Sequence, residues 1–295
     1  MIINHANLSA AFNGFRTSFN QGFRDAKPQW GEVATRVPST TLIENYGWLG
    51  QFPRVREWVG EKHIKNLSAA KYTLTNKDFE STVGVDRNHL EDDQFGFYST
   101  IFQEQGYAAA TYPDEQIFTL LGNAHAGTYG LAYDGQYFFD TDHPVAGVSV
   151  ANYTDSGSGT RWYLLDANRP LKPLIWQERK TPQLLAMNTA EDESVFMQRQ
   201  YRYGIEARGA AGFGFWQTAY AWRGALDATN YATARAAMMG FRSDEGRPLG
   251  IMPNLLVVPP ALEASARAVV GVATLTGGGD NPWFNSARIV VVPWL

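Results

Sequence analysis

Residues 91–122, EDDQFGFYSTIFQEQGYAAATYPDEQIFTLLG, are the longest stretch of helical texture in this chain. Asp92 and Asp93 suit a helix start, where carboxylates meet unpaired amides and the positive end of the dipole. Phe97, Ile101 and Ala108 fall on one side, with Phe102 and Gln105 flanking. Pro113 is expected to interrupt the helix, and Thr111-x-x-Asp114 resembles a capping box that opens a second piece. Segments of strand period surround it. In 70–90, Tyr72 and Leu74 alternate with polar neighbours, and the alternation resumes at Phe79, Val83 and Val85 after the NKD turn. In 201–222, Tyr201, Tyr203, Ile205 and Ala207 face one way and Arg202, Glu206 and Arg208 the other, as two strands around GAAG. Long helix and alternating strands together give an α+β class.

The ends of the chain add helices. Leu8, Phe12, Phe15, Phe19 and Phe23 recur at three- and four-residue steps, predicting an amphipathic helix within 7–26. Its stripe suits either a core helix or an arm docked on a neighbour. Towards the C-terminus, DATNYATARAAMMG, NLLVVP, PALEASARAVVG and ARIVVVPWL read as helix, strand, helix, strand, a compact lobe of helices on a sheet. The glycine-rich region 123–160 reads as turns and short strands.

At 295 residues, with 44% hydrophobic and 18% charged residues, the chain is long enough for one large or two ordinary globular domains. A net charge of -4 without a basic stripe argues against tight nucleic-acid binding. With no cysteine, disulfides, thiolate catalysis and cysteine zinc sites are excluded. No apolar run is long enough to span a bilayer, and the N-terminus lacks a signal-peptide pattern, so a cytoplasmic origin is expected.

No catalytic constellation stands out. Phosphate-loop, zinc-protease, nucleophile-elbow and dinucleotide motifs are missing. Asp140, Asp142 and His143 offer two carboxylates and an imidazole for a divalent ion, but Asp and Pro in a turn account for them better. Glu91, Asp92 and Asp93 are likewise better read as capping than as acid–base pairs. His5, His63, His89 and His125 have no partner evident in sequence.

Residues 44–62, ENYGWLGQFPRVREWVGEK, are the unusual element. Rings are too many for a solvent loop and charges too many for a buried strand. Tyr, Trp and Arg are the residues enriched at protein–protein hot spots. Tyr46, Trp48, Phe52, Arg54, Arg56 and Trp58 are therefore candidates for contact with another subunit, against the alternative that Trp48 and Trp58 complete the chain's own core.

Five motifs, YGWLGQFPRVREWVG, NKDFESTVGVDRN, EDDQFGFY, YDGQYFFDTDHPV and GRPLGIMPNLLVVPPALE, resemble in this order the major head subunits of Mu-like phages and prophages, the T protein family. The likeness runs from residue 2 to the final VVVPWL, and Ala132 stands where family members often carry Cys. The resemblance implies a non-enzymatic capsid protein of the Hong Kong 97-type fold, α+β, without cofactor or metal. It implies an N-terminal arm (1–43), an extended E-loop (44–80) and a peripheral (P) domain with a long spine helix (81–122). An axial (A) domain would take most of 123–200 and 226–295, with P-domain strands at 201–225. The expected partners are the chain itself in hexamers and pentamers, a separate scaffolding protein, a portal and decoration proteins. The shell would enclose DNA without sequence-specific binding and without a membrane, assemble in the host cytoplasm and persist in the virion. A tail tube, a metal-dependent hydrolase centred on Asp140, Asp142 and His143, and a glycan-binding module are the alternatives.

Overall fold

The structure, a computed structural model, describes residues 4–50, 72–92, 95–189, 192–275 and 277–295. Its helices are α1 (His5–Asp25), α2 (Trp30–Val33), α3 (Arg87–Glu91), α4 (Phe95–Asn123), α5 (Glu193–Gln198), α6 (Ala228–Met239) and α7 (Glu263–Ala266). The side chain of Asn4 caps α1 by accepting from the Asn7 N–H at 2.8 Å. The phenylalanine stripe of α1 is used within the subunit. Phe15 stacks on Phe102 of α4 at 4.4 Å, and both rings meet Tyr203 edge-on. Phe15, Phe19 and Phe102 are buried, each contributing roughly 1.5–3 kcal/mol of apolar transfer as an upper bound.

Four strands make the first sheet, in the order β1 (Ala34–Pro38), β9 (Leu174–Met187), β10 (Gln200–Phe213), β4 (Lys77–Asp86). β1 runs parallel to β9, and the other pairs are antiparallel. Tyr201, Tyr203, Ile205 and Ala207 of β10 are buried in alternation, as their spacing predicts. The second sheet has the order β13 (Arg288–Val291), β12 (Leu255–Val258), β8 (Arg161–Leu165), β11 (Ala219–Arg223), β7 (Tyr153–Asp155). The expected C-terminal lobe packs on it: α6 is capped by Asp227, ends at Gly240 and buries Tyr231, Ala234 and Met238. Two small ribbons complete the fold, β2 (Ile43–Asn45) with β3 (Thr73–Thr75), and β5 (His143–Val145) with β6 (Val148–Val150).

Three expectations are corrected. Helix α4 runs unbroken through Pro113. Thr111 does not open a new helix: its hydroxyl bonds back to the Tyr107 carbonyl at 3.1 Å. Asp114 instead receives the N–H groups of Gln29 and Trp30, at 2.9 and 2.5 Å, and so serves the start of α2. The buried side of α4 carries Tyr98, Phe102, Gln105 and Ala109, whereas Phe97 is exposed. Finally, GAAG (209–212) is not a turn between two strands. It lies inside β10, which continues to Phe213, and the following strand β11 joins the other sheet. A side chain on Gly209 would collide with the Gln177 carbonyl and the Trp176 ring, so glycine permits the close crossing.

Candidate intersubunit surface

Asn45 and Thr73 are paired. β2 and β3 are antiparallel with Ile43 opposite Thr75 and Asn45 opposite Thr73. Just beyond, the Tyr46 N–H donates to the Tyr72 carbonyl at 2.8 Å. Residues 39–50 and 72–76 thus form one root, which flanks residues 51–71 on both sides in sequence.

A buried polar network holds this root to β9. The Tyr46 hydroxyl donates to Gln177 Oε1 at 2.8 Å, and Gln177 Nε2 donates to Asn76 Oδ1 at 2.8 Å. Asn76 Nδ2 donates to Ser39 Oγ, and Ser39 Oγ donates to Glu44 Oε1, both at 2.9 Å. Gln177 is fully buried and Asn76 nearly so. Such groups persist in a core only when their bonds are made. The Glu44 carboxylate also collects the Thr40 and Thr41 amides at 2.8 and 3.1 Å. The Thr40 amide, the Ser39 hydroxyl and the Thr41 amide hold its acidity at about 2. Burial, with the charge of Glu44 nearby, pushes the Tyr46 hydroxyl up to about 12.

The root rests on an aromatic platform. Trp48 meets Phe215 edge-on at 6.3 Å, and Phe215 in turn meets Tyr133 at 6.2 Å. The Tyr133 hydroxyl accepts from Gln217 Nε2 at 2.8 Å. Gly50, at φ +88°, lies against the Tyr133 ring, where a Cβ would sit 2.7 Å from Cε2. Tyr46 and Leu49 are 3% and 1% exposed, while Trp48 between them is 41% exposed. Of the six candidate contact residues, Tyr46 therefore belongs to its own subunit's core. Trp48 presents a half-free indole. Phe52, Arg54, Arg56 and Trp58 lie outside the described residues.

The residues considered for metal or acid–base chemistry are occupied otherwise. Asp140 accepts the Tyr137 and Thr141 amides at 3.2 and 2.8 Å, the turn chemistry its spacing predicts. The His143 ring contacts Asp134 and Asn152, not Asp140 or Asp142. Glu91 pairs with Arg87 at 2.9 Å inside α3. Asp92 closes α3 rather than opening α4, and Asp93 lies outside the described residues. His89 Nδ1 is 2.6 Å from the Tyr98 hydroxyl, and the His125 ring lies beside Tyr153. Among the described residues, no group of three or more His, Cys, Asp or Glu is arranged to hold a metal ion, and no helix is long and apolar enough to cross a membrane. The Tyr46–Gln177–Asn76 network was not foreseen from sequence, because 131 residues separate Tyr46 from Gln177.

The fold matches the subunit in the procapsid of bacteriophage JBD30, with a TM-score of 0.87, 46% identity and coverage of 99% of this chain and 100% of that one. It also matches the capsid of the same phage decorated with minor capsid protein trimers, with a TM-score of 0.78, 36% identity and coverage of 92% and 91%. The class is thus a phage capsid protein of mixed helix and sheet. The family model described as Mu-like prophage major head subunit gpT matches residues 8–295. The major capsid protein of Escherichia phage Mu is 40% identical over 308 aligned residues, covering all of both chains. The chain belongs to this family, the major head subunits, or major capsid proteins, of Mu-like phages and prophages, which are structural proteins and not enzymes.

Proposed function

We propose that the subunit forms pentamers and hexamers of a closed icosahedral shell around double-stranded DNA, using the 44–62 stretch as an arm laid over a neighbour. The fold is read as Hong Kong 97-type, with an N-terminal arm at 1–43, an E-loop at 44–80 and a P domain with α4 as spine at 81–122. The A domain takes most of 123–200 and 226–295, with P-domain strands at 201–225. The sheets cross these bounds: β9, in 123–200, shares a sheet with β10, and β11, in 201–225, joins the sheet of β12 and β13. The observation that carries the contact reading is Trp48. Its two near neighbours are sealed in the core, while Trp48 itself is 41% exposed. An indole so exposed, with Phe215 and Tyr46 beside it, suits an apolar hollow on another copy. Each contact is modest, but a shell engages many at once.

The remaining partners in this reading are a separate scaffolding protein, a portal and decoration proteins, the last supported by the minor capsid protein trimers on the JBD30 capsid. Assembly takes place in the host cytoplasm. DNA is held without sequence-specific contacts, in keeping with a net charge of -4. Negative-stain electron microscopy of the recombinant chain, with light scattering across a concentration series, tests the assembly. Closed shells, or flat five- and six-membered rings, are expected. Open cylinders would overturn the reading in favour of a tube protein.

A further inference from the structure

His143 opens β5, and its ring is fully buried. It lies flat on Trp216, with centroids 3.9 Å apart and planes 9° from parallel. Nδ1 is 2.7 Å from Asp134 Oδ2, and Nε2 is 3.1 Å from Asn152 Oδ1. The protons follow from the surroundings. Asn152 Nδ2 donates to the carbonyls of Phe138, Trp216 and Ala219 at 2.8, 3.2 and 3.3 Å. Its Oδ1 also accepts the Asp140 N–H at 2.9 Å. Reversing the amide would set an oxygen against three carbonyls and an NH2 against an N–H, so Oδ1 is fixed as an acceptor. Nε2 must then donate. Nδ1 faces an oxygen of Asp134; with that carboxylate ionised the oxygen only accepts, and Nδ1 donates too. A neutral imidazole has one ring N–H, and two are needed.

The position of the ring gives this a consequence. Asp134 follows Tyr133, and Trp216 lies between Phe215 and Gln217. Tyr133, Phe215 and Gln217 are the platform under Trp48 and Gly50. One buried ring thus ties both halves of the platform, one by an ion pair and the other by a stack. We infer that His143 is held as the imidazolium and acts as a positioning residue for the root of the 44–62 stretch. The face of Trp216 favours the cation. Among the charged groups nearby, Asp134 faces the ring directly. Asp140 reaches Asn152 only through its backbone N–H while its carboxylate holds the Tyr137 and Thr141 amides, Asp142 adjoins the ring in sequence, and Asp244 accepts from the Ala146 N–H at 3.3 Å. Arg242, beside Phe241, donates instead to the Gly246 carbonyl. The Asp134 carboxylate is thus the charge set to stabilise a positive ring. Losing its second proton would leave a lone pair facing Asp134 or Asn152, inside a site closed to water.

The inference deepens the reading of this root as part of an intersubunit contact, but it concerns order inside one subunit. Its test is accordingly separate from shell formation. Full-length protein labelled with ¹⁵N in its histidines is examined by NMR at neutral pH, and His143→Gln assigns the resonance. Two protonated ring nitrogens are expected. One protonated nitrogen, which would leave the other proton on Asp134 or absent, overturns the inference. Hydrogen exchange over 44–50 supplies the second readout, through the Tyr46 and Leu49 amides that bond the Tyr72 and Tyr46 carbonyls. Asp134→Asn, which keeps an acceptor and the side-chain shape, should raise it at neutral pH, with α1 and α4 unchanged. Exchange over 44–50 that is unchanged in Asp134→Asn overturns the positioning role.

Discussion

Gly22 of α1 and Gly106 of α4 bring the two helices into backbone contact. A methyl on Gly22 would overlap the Gln103 carbonyl, and a methyl on Gly106 would overlap the Phe19 carbonyl. Neither obstacle is a flexible side-chain end, so the helices themselves would have to separate. Phe15 and Phe19, buried in α1's stripe, would lose their packing with them.

Gly106→Ala and Gly22→Ala are therefore each expected to destabilise the subunit by about 1–3 kcal/mol, the usual range for overpacking. Gly14→Ala is the control, since a Cβ there meets nothing within 4 Å. Higher helix propensity should make that change stabilising by roughly 0.5–1 kcal/mol. Denaturant unfolding of the three variants side by side checks the contrast.

Tyr46→Phe removes one hydroxyl and leaves Gln177 Oε1 buried without its donor. A cost of about 1–3 kcal/mol is expected, because an orphaned buried acceptor loses its hydration as well as its partner. Equilibrium unfolding measures it.

Glu44 gives the root an acid limit. Its folded value, about 2, lies below the ordinary 4.5, so its contribution is complete above the ordinary value and fades as pH falls towards about 2. Exchange of the Thr40 and Thr41 amides should accelerate over that window beyond the intrinsic rate. Glu44→Gln should show faster exchange at neutral pH and a flat response to acid.

Asp114→Ala strips two amides, those of Gln29 and Trp30, of their acceptor. Burial pushes this carboxyl's pKa up, against the opposite pull of the Gln29 and Trp30 amides. Loss of about 1–2 kcal/mol is expected, read by thermal unfolding. Asp114→Asn, with an acceptor retained, should recover part of it.

Local periodicity made much of the fold legible. The alternation of Tyr201, Tyr203, Ile205 and Ala207 predicts a strand with one buried face, and the phenylalanine stripe of α1 predicts a packed helix. Errors arose where tertiary contacts override local signals. Pro113 reads as a break, yet α4 continues because the helix is packed along its length against α1 and both long strands. Asp114 reads as a local cap but serves Gln29, 85 residues away. GAAG reads as a turn, but its glycines admit the Trp176 ring and the Leu74 side chain against the strand. For the contact surface, the aromatic stretch itself was visible in sequence. That Tyr46 is sealed in the core and Trp48 is not depends on Gln177 and Phe215, which no local pattern links to residue 46 or 48. The His143 clamp is equally non-local, since its spacing to Asp140 and Asp142 pointed to partners that the ring does not use.

The most direct measurement is a cryo-electron microscopy map of assembled shells, with solvent exposure of Trp48 compared across all symmetry-distinct copies. Trp48 is expected to fall from 41% exposed in the single subunit to buried against a neighbouring copy. Trp48→Ala combined with Trp58→Ala should then yield shells that come apart at lower denaturant. An indole facing solvent in every copy, with the double variant forming shells of normal stability, would contradict the contact assigned to this stretch.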